Sequence, residues 1–260
     1  MGVDSGLPDF RGTEGFWRAY PPYRALGLAF EELADPVHFA DDPGLAWGFY
    51  GHRLELYRTT VPHAGFGVLL EWSRRRQARV FTSNVDGQFQ RAGFADDVVA
   101  ECHGSIHHLQ CLAGCGQPVW SADGVAVQVD TATMRADPPL PACPRCGAVA
   151  RPNILMFGDR SWEPGRSQVA LEAHQAWLRS LRAEGVRPAV VELGAGTAVP
   201  TVRRQAELAS AASGALVRIN VREPEVRHGR GVGLAAAAAQ TLLALDPLVR
   251  GADPAPATRR

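Results

Sequence analysis

The stretch Val80 to Gly104, VFTSNVDGQFQRAGFADDVVAECHG, decides the fold of the chain. An apolar run over residues 78–82 is typical of a buried strand, and it stops at the polar segment Ser83 to Asp86. A short helical segment follows, and a second apolar run over 98–100 then leads into His103. The pattern predicts two adjacent parallel strands with polar side chains at their carboxyl ends, which is where open α/β sheets bind ligands.

Three side chains at this edge suit chemistry on a polar cofactor. His103 can act as a base near neutral pH, and Asn84 and Asp86 can orient a ligand through hydrogen bonds. Taken in isolation, the same residues favour a capped loop and a structural histidine. The other motifs of the chain decide between these two interpretations.

The stretch belongs to an ordered series of motifs that resembles the sirtuin family of NAD-dependent protein deacylases. TSNVDGQFQRAG followed by ECHGS is similar to the family pattern T-Q-N-I-D-x-L-H-x-R-A-G followed by E-x-H-G-S. The other motifs, in chain order, are DSGLPDFRG (4–12), FYGHR (49–53), PHAGF (62–66), RPNILMFGD (151–159), ELGAGTAVP (192–200) and RIN (218–220). The ordered series covers nearly the whole chain, so it is far more specific than any one motif.

The resemblance implies removal of an acyl group from a protein lysine, with NAD consumed and nicotinamide and O-acyl-ADP-ribose released. It implies that Asn84 and Asp86 hold the nicotinamide end and that His103 takes a proton from the ribose hydroxyls. The residues expected to contact the cofactor are Asp9, Phe10, Arg11, Ser83, Asn84, Asp86, His103, Gly194, Gly196, Thr197 and Asn220. An acyl-lysine protein or peptide is expected to bind as an added β-strand along Ile154, Phe157 and Gly158.

Tyr50 and Arg53 resemble the Tyr-x-x-Arg pair of sirtuins that remove succinyl or malonyl groups. An arginine fork pairs bidentately with a carboxylate, and a tyrosine hydroxyl adds a further donor in an apolar acyl pocket. At positions i and i+3 of a helix, Tyr50 can equally pack in the core while Arg53 extends toward solvent. An acetyl and an acidic acyl preference therefore both remain open.

Four of the five cysteines form two closely spaced pairs, Cys111-x3-Cys115 and Cys143-x2-Cys146. The chain starts without an export signal, which argues against a disulfide framework, and the paired spacing predicts a tetrahedral structural zinc. Four thiolates fill the coordination shell, so the metal is expected to stabilise a small β-rich module and to do no chemistry. We expect Cys102 to be a core thiol.

Composition and element order predict an α/β protein with a doubly wound, Rossmann-like parallel sheet. The predicted domains are a large NAD-binding domain (1–15, 62–105 and 151–250), a small domain made of an inserted helical module (16–61) and an inserted zinc-binding module (106–150), and a disordered tail (251–260). Basic and acidic residues balance at 27 each, which disfavours a nucleic-acid partner. No apolar run approaches the roughly 18 residues of a membrane span, so a cytoplasmic location is expected, whereas the oligomeric state is not determined.

Three departures from the family pattern bear on activity. Ser83 stands where the family has a longer Gln, and Gln88-Phe89 replaces Leu-His. The chain also begins where the family's Gly-Ala-Gly cofactor loop lies, so we expect that a strand and a loop precede Met1 in the full gene product. The alternatives to deacylation are ADP-ribosyl transfer or NAD hydrolysis, and an inactive module that only binds ADP-ribose.

Overall fold

The computed structural model of the chain describes residues 1–9, 13–227 and 231–251. Two of the expected cofactor residues, Phe10 and Arg11, lie outside these ranges. The expected disordered tail, apart from Gly251, lies outside them as well.

Parallel strand pairing defines the fold, as the sequence predicts. The strands, numbered in chain order, are β1 (Val80–Thr82), β2 (Val99–Glu101), β3 (Gly104–Cys111), β4 (Trp120–Ser121), β5 (Val129–Asp130), β6 (Arg135–Ala136), β7 (Ala150–Ile154), β8 (Val190–Leu193), β9 (Leu216–Ile219) and β10 (Val232–Leu234). β1 pairs with β2 in parallel, and β9 lies between β8 and β10 in a second parallel group. The α/β class is thus confirmed.

Helices cover the parallel strands and form a separate module near the N-terminus. They are α1 (Thr13–Ala19), α2 (Pro21–Ala25), α3 (Phe30–Leu33), α4 (Val37–Asp41), α5 (Pro43–Thr59), α6 (Ala64–Arg75), α7 (Gln88–Arg91), α8 (Gly165–Ala183), α9 (Thr201–Ser210) and α10 (Ala238–Gly251), with 3-10 turns at Gly2–Ser5 and Asp96–Val98. α8 packs on β2, α9 packs on β8 and β9, and α6 packs against α10. None of the described helices is both long and apolar enough to cross a membrane.

A buried ion pair joins β8 to β9. Glu192 and Arg218 face each other across the two strands, with Nε–Oε1 and Nη2–Oε2 distances of 2.6 and 2.8 Å. Both side chains are 1% exposed, and Arg218 also donates to Glu207 of α9 at 3.1 Å. Because a buried charge is tolerated only when it is paired and hydrogen-bonded, this bidentate contact fixes both the register of the strands and the position of α9.

The helical module packs around a cluster of aromatic side chains. Its buried rings are those of Phe16, Tyr20, Tyr23, Phe39, Trp47, Phe49 and Tyr50, each at most 1% exposed. α5 starts at Pro43, where the side chain of Asp42 accepts a hydrogen bond from the Leu45 amide at 3.1 Å and caps the helix. The long, mostly buried α5 therefore passes through the centre of the module.

The four paired cysteines converge in a second inserted module. β3 pairs antiparallel with β4 and β7, and all four Sγ atoms of Cys111, Cys115, Cys143 and Cys146 lie within 4.8 Å of one another. The Cys111–Cys146 and Cys115–Cys143 sulfur distances are both 3.6 Å. A zinc tetrathiolate with bonds of about 2.3 Å has sulfur–sulfur edges of about 3.8 Å, so the cluster fits a structural zinc ion.

The last part of the chain differs from the sequence-based expectation. The sequence pattern predicts that Gly231 and Gly233 lead into a final helix that ends near Leu245, and it predicts no strand there. In the structure β10 pairs in parallel with β9, and α10 continues through Pro247. Glycine is depleted in strands, so the strand gave no sequence signal. The glycine is required here because a Cβ on Gly233 would lie 2.1 Å from the carbonyl oxygen of Pro224.

Replacing Arg218 with Met should lower the free energy of unfolding by about 3–5 kcal/mol, because the buried Glu192 carboxylate then loses its charged partner. Chemical denaturation of the variant measures this loss. Arg204→Met, on the same helix as Glu207, serves as the surface control and should change stability by less than about 0.5 kcal/mol. Equal stability of the Arg218 variant and the parent would contradict the structural role of the pair.

Removing the metal should unfold the cysteine module. Cys143→Ser is expected to lose the single equivalent of zinc per chain and to lower the melting temperature, since four thiolates are needed for the closed shell. Elemental analysis and thermal denaturation measure the two effects. Cys102→Ala is the matched control: Cys102 is buried, burial raises its pKa to about 12, and its loss should leave the zinc content at one.

Candidate active site

The site lies where β1 and β2 end. Thr82 and Glu101 are register partners, and the amide of Cys102 donates to the Thr82 carbonyl at 2.9 Å. The segment after β1 also pairs with the start of β3, because the Ile106 amide donates to the Val85 carbonyl at 3.0 Å. The loop that carries Asn84 and Asp86 therefore runs beside the turn that carries His103.

Asp86 is buried and held in place by its surroundings. Its Oδ1 accepts from the Gln88 amide at 3.0 Å, and its backbone carbonyl lies 3.1 Å from Nε2 of His107. Burial raises the pKa of its carboxyl group. Asn84 is exposed and Ser83 is half-buried, so the loop presents one fixed carboxyl and one open amide.

His103 lies half-buried in the tight turn between β2 and β3. Burial lowers the pKa of its imidazole, so the ring is neutral at pH 7 and can accept a proton. The next residue, Gly104, has φ +80°, and a Cβ there would lie 2.0 Å from the carbonyl oxygen of Asn153. The His-Gly sequence is thus a structural requirement: glycine lets β7 approach the turn that holds the imidazole.

Glu101 is a buried carboxylate of this edge that the sequence analysis did not single out. Its Oε2 accepts from Nη2 of Arg166 on α8 at 2.7 Å, and the side chains of Gln90 and Ser105 also hydrogen-bond to it. Burial raises its pKa and the arginine lowers it. Glu101 therefore ties β2, α7, β3 and α8 together directly behind His103.

The Gly194–Thr197 loop connects β8 to the start of α9. Asn220, at the end of β9, is 2% exposed and donates from Nδ2 to the Ala195 carbonyl at 2.8 Å. Its Oδ1 accepts from the amides of Arg222 and Glu223 at 2.9 and 3.1 Å. In this structure the Asn220 side chain therefore shapes the loop that the sequence assigns to the cofactor.

Glu223 occupies the concave side of that loop, which the sequence analysis did not foresee. Its Oε2 accepts from the Thr197 amide at 3.1 Å, and its Oε1 accepts from Thr197 Oγ1 at 2.5 Å. A Cβ on Gly196 would lie 3.2 Å from Oε2. Because the loop already presents an amide and a hydroxyl to an anionic oxygen, it fits the ribose or phosphate oxygens of a dinucleotide. Asp9, expected at the same cofactor, pairs with Arg222 at 3.1 Å.

The predicted peptide channel follows β7 directly. Ile154 is buried and pairs with Gly104, and the amide of Leu155 donates to the His103 carbonyl at 2.9 Å. Phe157 is 41% exposed and Gly158 is exposed, so the segment is accessible, and the Phe157 amide donates to the Ala34 carbonyl at 3.0 Å. A fully buried ion pair between Arg151 and Asp159, 2.7 Å apart, stabilises the loop that follows β7.

Tyr50 and Arg53 are both buried on α5. The Arg53 guanidinium carbon lies 4.9 Å from the Phe49 ring centre and 5.4 Å from that of Tyr50, and its Nε donates to the Tyr57 hydroxyl at 3.0 Å. Arg53 is 6% exposed, so it does not extend into solvent, one of the two options that the sequence left open. Tyr57 was not predicted from the sequence, although its i+4 spacing from Arg53 on a predicted helix was a usable signal.

Comparison with known proteins places this site in a family. A model of the Sir2 family matches residues 1–177. The NAD-dependent protein deacylase 2 of Pyrobaculum aerophilum is 32% identical over 222 residues, which cover 85% of this chain and 76% of that protein. Two solved structures are each 27% identical to this chain with a TM-score of 0.70: a Sir2 homologue in complex with NAD, and a Sir2 homologue mutant in complex with 2'-O-acetyl ADP ribose. Each comparison covers 96% of this chain, and covers 86% of the first structure and 88% of the second. The chain belongs to the Sir2 family.

Proposed function

We propose that this chain is an NAD-dependent protein lysine deacylase that releases nicotinamide and O-acyl-ADP-ribose. The observation that carries the proposal is the edge formed by β1 and β2, where a neutral His103 stands beside the loop of Asn84 and Asp86. Membership of the Sir2 family and the deacylase relatives support the same reaction. We assign residues 1–15, 62–105 and 151–250 to the NAD-binding domain and 16–61 with 106–150 to the small domain.

Each catalytic residue has a separate role in this proposal. NAD supplies an anomeric carbon that becomes electrophilic as nicotinamide leaves. Asn84 and Asp86 orient the leaving carboxamide by hydrogen bonds, and burial raises the pKa of the Asp86 carboxyl. Neutral His103 accepts a proton from a ribose hydroxyl, which turns that oxygen into a nucleophile.

The remaining residues bind without taking part in the chemistry. Ser83, Gly194, Gly196 and Thr197 line the dinucleotide, with Asn220 shaping the loop and Asp9 contributing from the N-terminal segment. The four cysteines would hold zinc in a closed shell that supports the module and would leave no open coordination position. The acyl-lysine peptide lies along Ile154, Phe157 and Gly158 and pairs through its backbone.

We further propose that the acyl pocket prefers an acidic acyl group such as succinyl or malonyl. Arg53 places a permanent positive charge among the rings of Phe49, Tyr50 and Tyr57, in surroundings with little water. A carboxylate bound there gains charge-assisted hydrogen bonds that an acetyl group cannot form. Burial raises the pKa of Tyr50 to about 12, so its hydroxyl remains a donor.

His103→Ala should lower the rate of deacylation by about 10² to 10⁴, the usual contribution of a general base. Mass spectrometry of the products formed from acyl-lysine peptides measures this rate and separates acyl transfer from NAD hydrolysis. His38→Ala is the control: His38 lies half-buried on α4, its Nε2 is 3.0 Å from the Glu32 carbonyl oxygen, and the variant should keep the parent rate within about twofold. An unchanged rate in the His103 variant would end the proposal.

The pH profile of kcat/KM should follow the same imidazole. Because burial lowers the pKa of His103, the neutral base persists into mildly acidic solution, and activity falls only when pH drops below the ordinary histidine value of about 6.5. Initial rates between pH 5 and 8 test this sign. If kcat/KM fell with a midpoint above that value, or if the same pH dependence remained in His103→Ala, the titrating group would be another residue.

Arg53→Met should lower kcat/KM for a succinyl-lysine peptide by about 100-fold, or about 2.7 kcal/mol, since the carboxylate loses its charged partner. The acetyl-lysine peptide should change by no more than a few-fold. Arg58→Met is the matched control on the same helix: Arg58 bonds the carbonyls of Val125 and Ala122, so its loss should affect both peptides alike. An unchanged succinyl-to-acetyl ratio in Arg53→Met would refute the acidic preference.

A further inference from the structure

Arg53 and Tyr57 form a buried contact one helical turn apart on α5. The two side chains are 6% and 4% exposed, and Nε of Arg53 donates to the Tyr57 hydroxyl at 3.0 Å. The Arg53 guanidinium carbon also lies 5.3 Å from the centre of the Tyr57 ring. A contact this enclosed limits the rotation of the guanidinium, because a hydrogen bond from Nε lies in the guanidinium plane.

The geometry of the guanidinium gives the contact a direction. Its N–H groups form a planar fork, and the two Nη groups make up the edge farthest from the arginine stem. Once Nε is held by Tyr57, both the plane and the direction of that far edge are set. Binding a carboxylate in the end-on, bidentate manner requires this edge to point into the acyl pocket before the substrate arrives.

Tyr57 fixes the arginine without neutralising it. Burial raises the pKa of the Tyr57 hydroxyl, the neighbouring Arg53 cation lowers it, and the Asp86 carboxylate raises it further, with the net direction upward. The phenol therefore stays un-ionised and accepts as a neutral group. A glutamate or aspartate at the same place would form an ion pair with Arg53 and reduce its attraction for a substrate carboxylate.

The contact lies beside the proposed peptide channel. The ring of Phe30 stands 6.0 Å from the Arg53 guanidinium carbon and 6.1 Å from the ring of the half-exposed Phe157. One aromatic ring thus separates the guanidinium from the surface along which the peptide is proposed to lie.

We propose that Tyr57 is a positioning residue for acyl selection: its neutral hydroxyl aims the Arg53 guanidinium at the carboxylate of an acidic acyl-lysine. The inference rests on the proposed acidic-acyl preference and adds a residue that the Tyr50–Arg53 pair alone does not include. Tyr57 acts through Arg53 and takes no part in the chemical step. Its effect is therefore confined to substrates whose acyl group carries a carboxylate.

Tyr57→Phe tests the proposal, because it removes the hydroxyl and keeps the ring. We expect KM for a succinyl-lysine peptide to rise about tenfold, or about 1.4 kcal/mol, with kcat changed less than about threefold. Activity on the acetyl-lysine peptide should stay within about twofold and also reports that the variant is folded. A parent-like succinyl-to-acetyl ratio of kcat/KM would overturn the inference.

Tyr23→Phe is the matched control. Tyr23 is fully buried in the same aromatic cluster, but its hydroxyl donates to the Met134 carbonyl at 3.2 Å and not to an arginine. Its loss should leave the succinyl-to-acetyl ratio unchanged even if the melting temperature falls. A shift in the ratio as large as that of Tyr57→Phe would show a general packing effect and overturn the specific role.

A double-mutant cycle separates this inference from the function on which it rests. In an Arg53→Met background, Tyr57→Phe should have no further effect on the succinyl-lysine peptide, since the group that it positions is gone. Additive effects would overturn the inference. A silent Arg53→Met refutes the acidic-acyl preference itself, whereas a large Arg53→Met effect beside a silent Tyr57→Phe refutes only the role of Tyr57.

Discussion

The parallel pairing of β1 with β2 is the constraint on which the site depends. The Cys102 amide donates to the Thr82 carbonyl, which extends the pairing one residue beyond the end of β2. Both segments of the chain leave the sheet at this point. The loop with Asn84 and Asp86 and the turn with His103 therefore start side by side at the same edge of the sheet. Neither segment has enough regular structure to hold its side chains without this shared start.

Buried polar groups stabilise this edge of the sheet from several sides. Glu101 joins the end of β2 to Arg166 on α8, and Arg151 with Asp159 secures the loop after β7. Each pair places charge where little water reaches it, so each tolerates only a narrow range of geometry. The module with the four cysteines is continuous with this framework, because β3 and β7 run from the turn at Gly104 to the cluster at Cys111.

The sequence was informative where a side chain acts near its own place in the chain. It predicted that one strand stops before Ser83, that a second strand precedes His103 and that the four cysteines pair in sequence to bind one metal, because spacing and periodicity are local signals. It could not reveal Glu223 at the Gly194–Thr197 loop, since 26 residues separate Glu223 from Thr197 and only the packed fold brings them together. The strand β10 was not predicted for a related reason. Gly233 must be glycine because the Pro224 carbonyl lies close to it, and no local sequence pattern encodes that contact.

The hydrogen bond from the Leu155 amide to the His103 carbonyl links two tasks that are usually considered apart. The stretch that continues β7 supports the turn that carries the imidazole, and in the proposed function it is also the template for an incoming peptide backbone. A peptide bound in this way is aligned by the same segment that positions the proposed base. In that proposal, strand register sets the depth that the lysine reaches, with little dependence on the flanking side chains.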